Sequence, residues 1–153
     1  MARGDLRHIV GPAASKWGAG MAVSMAGLPA FLLYFVVGSA LIAAFAAAYL
    51  RMTPHDEIAL IRAGNLSAAI AFGGNLVGFA VPLEKAIAQA SSIPDCVLWA
   101  VAAMLVQFAA YGLARIVIPD LSRKIEEDRL PSAAMLAVLA IISGTLAGAS
   151  MTI

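Results

Sequence analysis

Apolar residues run almost unbroken through four stretches, Pro29 to Leu50, Leu66 to Pro82, Val97 to Ile118 and Ser132 to Ile153, together more than half of the 153 residues. The only Asp, Glu, Lys, Arg or His inside them is Arg115, at the edge of the third. Polar and apolar positions do not alternate as in a half-buried strand, and runs of about 17 to 22 residues suit helices that cross a bilayer. In hydrocarbon each backbone N–H and C=O must be satisfied within its own segment, which again selects the helix. The pattern predicts an all-α, polytopic membrane protein with four transmembrane helices.

The polar breaks carry their own signals. In Thr53-Pro54-His55-Asp56, Thr53 is expected to cap a short helix, with Pro54 in its first position and Asp56 at N3 completing a capping box. That amphipathic helix would turn Ile58 and Ile61 to the lipid, hold Arg62 in its last turn and stop at Gly64-Asn65. A second one is expected after Pro119, with Leu121 and Ile125 spaced i, i+4 and a solvated run of mixed charge from Arg123 to Arg129. A shift of 65 residues places Pro54 on Pro119 and Ser67-Ala68-Ala69 on Ser132-Ala133-Ala134. The chain therefore reads as two tandem two-helix repeats, 29–90 and 91–153, related by an axis along the membrane normal. Gly74 to Gly78 and Gly144 to Gly148 match only at a shift of 70, and the five-residue difference turns a helix by about 140°.

Residues 1–28 form a separate N-terminal segment in this reading. Arg3 and Arg7 begin like a signal peptide, but Gly11, Pro12, Lys16, Gly18 and Gly20 interrupt the apolar part, and no cleavage is expected. Residues 13–27 read as a short helix at the membrane surface, with Trp17 at headgroup level and Lys16 in water; a fifth span is the alternative.

Composition agrees with the spans: 62% of residues are hydrophobic, 12% are charged, and the mean hydropathy is +0.91. A net charge of +1 provides no basic stripe for phosphates, so nucleic acid is not expected as a partner. Cys96 stands alone, and His8 and His55 are far apart, so neither a disulfide nor a zinc-type ligand set is legible, and no metal or cofactor is expected. The loops after spans one and three hold six Lys and Arg residues, against four in the N-terminal tail and middle loop. By the positive-inside rule those two loops face the cytoplasm and both termini the periplasm.

Small and polar residues inside the spans are the candidates for function. Gly74 and Gly78 on span two, and Gly144 and Gly148 on span four, form Gly-x-x-x-Gly faces on which helices can approach closely, within one chain or between chains. Asn75 and Gln107 lie near the middle of their spans and need partners there. The structural reading is an interhelical hydrogen bond; the functional one is a polar lining for a pore or ligand path, assisted by Ser39, Ser143 and Thr145. A proton relay normally needs an ionisable residue at such depth, and the middles of the spans have no Asp, Glu, Lys, Arg or His. No catalytic constellation is present, so the chain is not read as an enzyme. His55, Asp56, Glu57 and Arg62 form the best loop site for a cation or polar headgroup, although capping and the helix dipole already account for them.

Thr53 to Glu57, Ala63 to Ala69, the stretch from Gly73-Gly74-Asn75 to Pro82-Leu83, and Ser92-Ile93-Pro94-Asp95 together resemble the YjfL-like bacterial inner-membrane proteins, the domain-of-unknown-function 350 family. The resemblance covers about Phe31 to Ile153. It implies a small four-helix protein of the bacterial inner membrane, built from two-helix units, with no assigned catalytic residues to carry over. Family genes often neighbour those of phage-shock-type stress proteins, which implies a shared process and a peripheral partner of that type. The expectation is thus a membrane component that forms a homo-oligomer or binds a membrane-protein partner and serves membrane integrity or stress. The alternative is a small oligomeric channel.

Overall fold

A computed structural model describes the backbone of residues 12–151 and the side chains of residues 25–151. Regular structure among these is helical throughout: α1 (Pro12–Met52), α2 (Glu57–Arg62), α3 (Leu66–Gln89), α4 (Ile93–Val117), α5 (Leu121–Glu126) and α6 (Leu130–Ser150). Four helical segments, Met25–Met52, Leu66–Gln89, Ile93–Val117 and Leu130–Ser150, are long and apolar enough to cross a membrane. The chain divides into two compact units, Met1–Val36 and Val37–Ile153.

In the first unit the helix begins at Pro12 and is unbroken, so residues 13–27 do not form the separate helix expected there. The side chains of Lys16 and Trp17 lie outside the described residues. From Met25 to Leu33 the side chains are exposed, and the Phe31 and Phe35 rings stack at 5.9 Å.

In the second unit the closest helix pair is α3 with α6. A methyl group added at Gly74 would overlap Ala137, and one at Gly78 would come within 2.5 Å of the Ala140 carbonyl oxygen. One added at Gly144 would overlap the Gly78 carbonyl. The cause is local to α3: Pro82 lies within this helix and has no N–H to offer the Gly78 carbonyl four residues earlier. The freed oxygen faces Gly144, where the absence of a side chain leaves room for a weak Cα–H contact.

The later part of α1 is held differently. Phe45 and Tyr49, both fully buried, reach the other helices through their rings, Phe45 against Phe79 at 4.5 Å and Phe108 at 5.7 Å, and Tyr49 against Tyr111 at 5.4 Å. In lipid such packing replaces the hydrophobic drive available in water.

Capping sets where the helices start. Asn65 caps α3, its side-chain oxygen accepting from the Ala68 N–H at 2.7 Å, and Ser92 caps α4 with Pro94 in the first turn. The cap of α2 differs from expectation. Asp56 rather than Thr53 occupies the N-cap and accepts from the Ala59 N–H at 3.0 Å, while the Thr53 hydroxyl donates back to the Leu50 carbonyl. Pro54 and His55 therefore precede the helix, whose first residue is Glu57. Leu121 and Ile125 of α5 are buried in the core rather than placed at a surface, and Leu60 and Ile61 of α2 pack against the same cluster.

Candidate functional site

The two polar loops, far apart in sequence, meet at one end of the second unit. Gly64 takes a left-handed conformation, φ 89°, and turns the chain from α2 into Asn65. While its oxygen caps α3, the Asn65 amide donates to the carbonyls of Ile125 and Glu126 in α5 at 2.9 and 3.2 Å. Asp128, also left-handed at φ 55°, returns the link by accepting from the Ser67 N–H at 2.7 Å. That bond holds the Asp128 carboxyl below its usual range, because a backbone N–H favours the charged form. The charged run after Asp120 is solvated, with exposed pairs from Arg123 to Asp120 and from Arg129 to Glu127 at 3.1 and 3.4 Å.

Beneath this latch lies a buried polar group. Glu57 is 0% exposed and His55 8%, and His55 Nε2 stands 3.3 Å from Glu57 Oε1. Capping therefore explains Asp56 but not its neighbours, which turn into the protein instead of towards solvent. The Tyr49 hydroxyl from α1 hydrogen-bonds towards the Glu57 carboxylate, and Tyr111 from α4 interacts with it electrostatically. On its other side Tyr49 accepts from the Asn75 amide at 3.3 Å. His55 and Asp56 also border an open groove of about 430 Å³, completed by Ala59, Leu60, Ala63 and Glu126. Arg62 stays exposed in the last turn of α2, where the helix dipole favours it.

The intramembrane amides do not bond to each other. Asn75 is tied to Tyr49 and to the Ala71 carbonyl of its own helix at 2.8 Å, while Gln107 of α4 donates to the Ala140 carbonyl of α6 at 3.1 Å. Since the two share no partner, Asn75→Leu and Gln107→Leu should each cost roughly 0.6 kcal/mol, and the double change about the sum. Unfolding of the three variants by sodium dodecyl sulfate titration reads this; a double change costing much less than the sum would mean the amides act as a pair.

The remaining candidates lie along α6, Thr145 exposed, Ser143 half-buried and Gly148 buried. Ser143 and Thr145 donate to the Leu139 and Ile141 carbonyls of the preceding turn, both at 2.8 Å. Ser143 also borders a groove of about 400 Å³ between α4 and α6, with Trp99, Val106, Leu146 and Ser150. Gly148 lies against Pro82 and the stem of Lys85. No group of three or more His, Cys, Asp or Glu comes together among the described residues.

Four apolar helices, capped at polar loops and packed through glycines and aromatic rings, define a multi-pass helical membrane protein. The chain belongs to the family described as Domain of Unknown Function (DUF350), whose model matches residues 22–151. It is 35% identical over 125 residues to the UPF0719 inner membrane protein YjfL of Escherichia coli strain K12, covering 82% of this chain and 95% of that one. The YjfL protein of Escherichia coli O157:H7 gives the same identity and coverage. No solved structure matches.

Proposed function

We propose that the chain is a non-catalytic component of a bacterial inner membrane that packs against further copies of itself or a membrane-protein partner and serves membrane integrity under stress. The location is the one named for the YjfL relatives. The observation that carries the reading is the filled centre of the second unit, where Gly78 meets Gly144 and Gln107 is tied to the Ala140 carbonyl. A polar path through a single chain would need that space, so the outward helix faces and the latched loops are left to do the work. A peripheral stress protein of phage-shock type would meet the loops.

The channel reading draws on one feature, the groove that Ser143 and Ser150 border, which several chains together would close into a lumen. Both hydroxyls are engaged with carbonyls of their own helix at 2.8 Å, which favours the packing reading. Native mass spectrometry from nanodiscs should give a dimer, a higher oligomer or a defined complex with another membrane protein, and proteoliposomes should show no cation flux. A monomer without a partner would sink the proposal. A wild-type current abolished by Asn75→Leu would replace it with a channel.

Both termini are placed in the periplasm, following the excess of Lys and Arg in the first and third loops. In a Cys96→Ser background, an impermeant thiol reagent added to intact spheroplasts should label Ser150→Cys and spare Ser122→Cys. The reverse pattern would invert the topology.

A further inference from the structure

We propose that the groove between α4 and α6 holds a phospholipid with an amine headgroup, of the phosphatidylethanolamine class, its acyl chain along the groove and its headgroup on Lys85 and Glu84. This goes beyond the packing role and does not depend on it.

Two cavities share Trp99 and Met151. The larger, about 400 Å³, runs past Val106, Ser143 and Leu146, and its wall is mostly apolar. The two hydroxyls on that wall, Ser143 and Ser150, donate to carbonyls of their own helix at 2.8 Å, so an alkyl chain lying there leaves neither unpaired. The smaller, about 200 Å³, is bordered by Lys85 and Gln89 near the end of α3. Trp99 stands where the two join, and an amphipathic indole suits the boundary between acyl chains and headgroups.

The depth of the groove selects a lipid over a helix. On α4 its lining runs from Trp99 to Val106, about 10 Å of helix, beside a hydrocarbon core of about 30 Å. A helix from a second copy would cross the whole core. A groove confined to the side of the middle loop fits a molecule that occupies one leaflet.

The charges at the mouth select the headgroup. Lys85 Nζ lies 3.2 Å from Glu84 Oε2, and both side chains are exposed. The Lys85 stem passes Gly148 of α6, its Cγ 3.4 Å from where a methyl group would stand, so this lysine reaches from α3 to the α6 side of the groove. A cation beside an anion complements a phosphate beside an ammonium: the phosphate accepts from Lys85 Nζ, and the headgroup ammonium donates to Glu84. A purely anionic headgroup would be repelled by Glu84, and a quaternary ammonium has no N–H for it. Asp95 of α4, beside the same loop, is already engaged, accepting from the Ser91 N–H and hydroxyl at 3.0 and 3.3 Å.

The test uses the full-length chain with Trp17→Phe, which leaves Trp99 as the single tryptophan. It is reconstituted in phosphatidylcholine vesicles, into which phosphatidylethanolamine, phosphatidylcholine or phosphatidylglycerol with brominated acyl chains is titrated; bromine quenches indole fluorescence on contact. Brominated phosphatidylethanolamine should quench Trp99 at about two- to fivefold lower mole fraction than the other two lipids, the range that an exposed ion pair supplies. Glu84→Gln should remove that preference and raise phosphatidylglycerol above phosphatidylethanolamine, because Lys85 is then unopposed. Ala147→Phe, which fills the groove, should make the three lipids equal. Equal quenching by all three lipids in the Trp17→Phe protein would overturn the proposal. So would strongest quenching by phosphatidylglycerol, which marks an anionic-lipid site, or a Trp99 that no brominated lipid reaches, which marks a protein in the groove. A phosphatidylethanolamine preference that survives Glu84→Gln would also overturn it. Should Ala147→Phe fail to fold, Glu84→Gln decides, since it alters an exposed side chain.

Discussion

Gly144→Ala should loosen the bundle by about 1 to 3 kcal/mol, the range of an overpacked core, and Gly144→Leu should part α3 from α6 altogether. The added methyl group meets the Gly78 carbonyl, part of a helix backbone rather than the flexible end of a side chain, so the helices must move. The Gln107 amide nitrogen lies 2.8 Å from the same point and must shift as well. Gly78→Leu should behave similarly through the Ala140 carbonyl. Gly73→Ala and Gly112→Ala are the controls, because nothing lies within 4 Å of their added methyl groups. As helical positions they should gain up to about 1 kcal/mol. Sodium dodecyl sulfate titration followed by circular dichroism reads all five. If Gly144→Ala unfolded like the controls, α3 and α6 would not be in backbone contact.

The same residues show how much the sequence discloses. Span positions follow from the absence of charge over lengths that only a bilayer demands, and the small-residue spacing marks helix faces able to approach closely. Which faces meet depends on Pro82, whose missing N–H leaves a carbonyl to be covered, a consequence that appears only once α6 lies alongside. Asn75 and Gln107 announce themselves as amides in an apolar run, but their partners are a tyrosine on α1 and a carbonyl on α6, and sequence spacing does not relate either pair.

The loops are where local reasoning misleads. A Thr-Pro pair suggests a cap, yet the cap falls three residues later at Asp56, and Glu57, the first helical residue, is buried beneath the loop. A Glu beside a His and an Asp looks solvated in any window of sequence. It is fully buried, and the tyrosines it interacts with, Tyr49 and Tyr111, come from two other helices. Asp128 was hidden for the same reason, lying in a charged run whose other members are solvated. One available signal was a sequence of Asp, Arg and Leu-Pro at a helix start, where a carboxylate is favoured by the dipole of a neighbouring helix N-terminus.

Asn65→Ala should cost about 1 to 3 kcal/mol, since it removes the α3 cap, worth about 1 kcal/mol, together with the amide bonds to the Ile125 and Glu126 carbonyls. Asn65→Asp separates the two contributions: its carboxylate still caps α3 but has no N–H for α5, so only the link between the loops is lost. Asp128→Asn tests the return contact through pH. Because the folded protein holds this carboxyl below its usual range, the contribution is complete above the unfolded value of about 3.9 and is lost as pH falls from there through the folded value. Wild-type stability should therefore drop in that acid range by an amount missing from Asp128→Asn, with the two curves parallel towards neutrality. Thermal unfolding in detergent at a series of pH values measures both effects. Identical acid profiles would mean that the Ser67 N–H does not hold the carboxylate, and an Asn65→Ala protein as stable as the wild type would mean that the two loops do not bind each other.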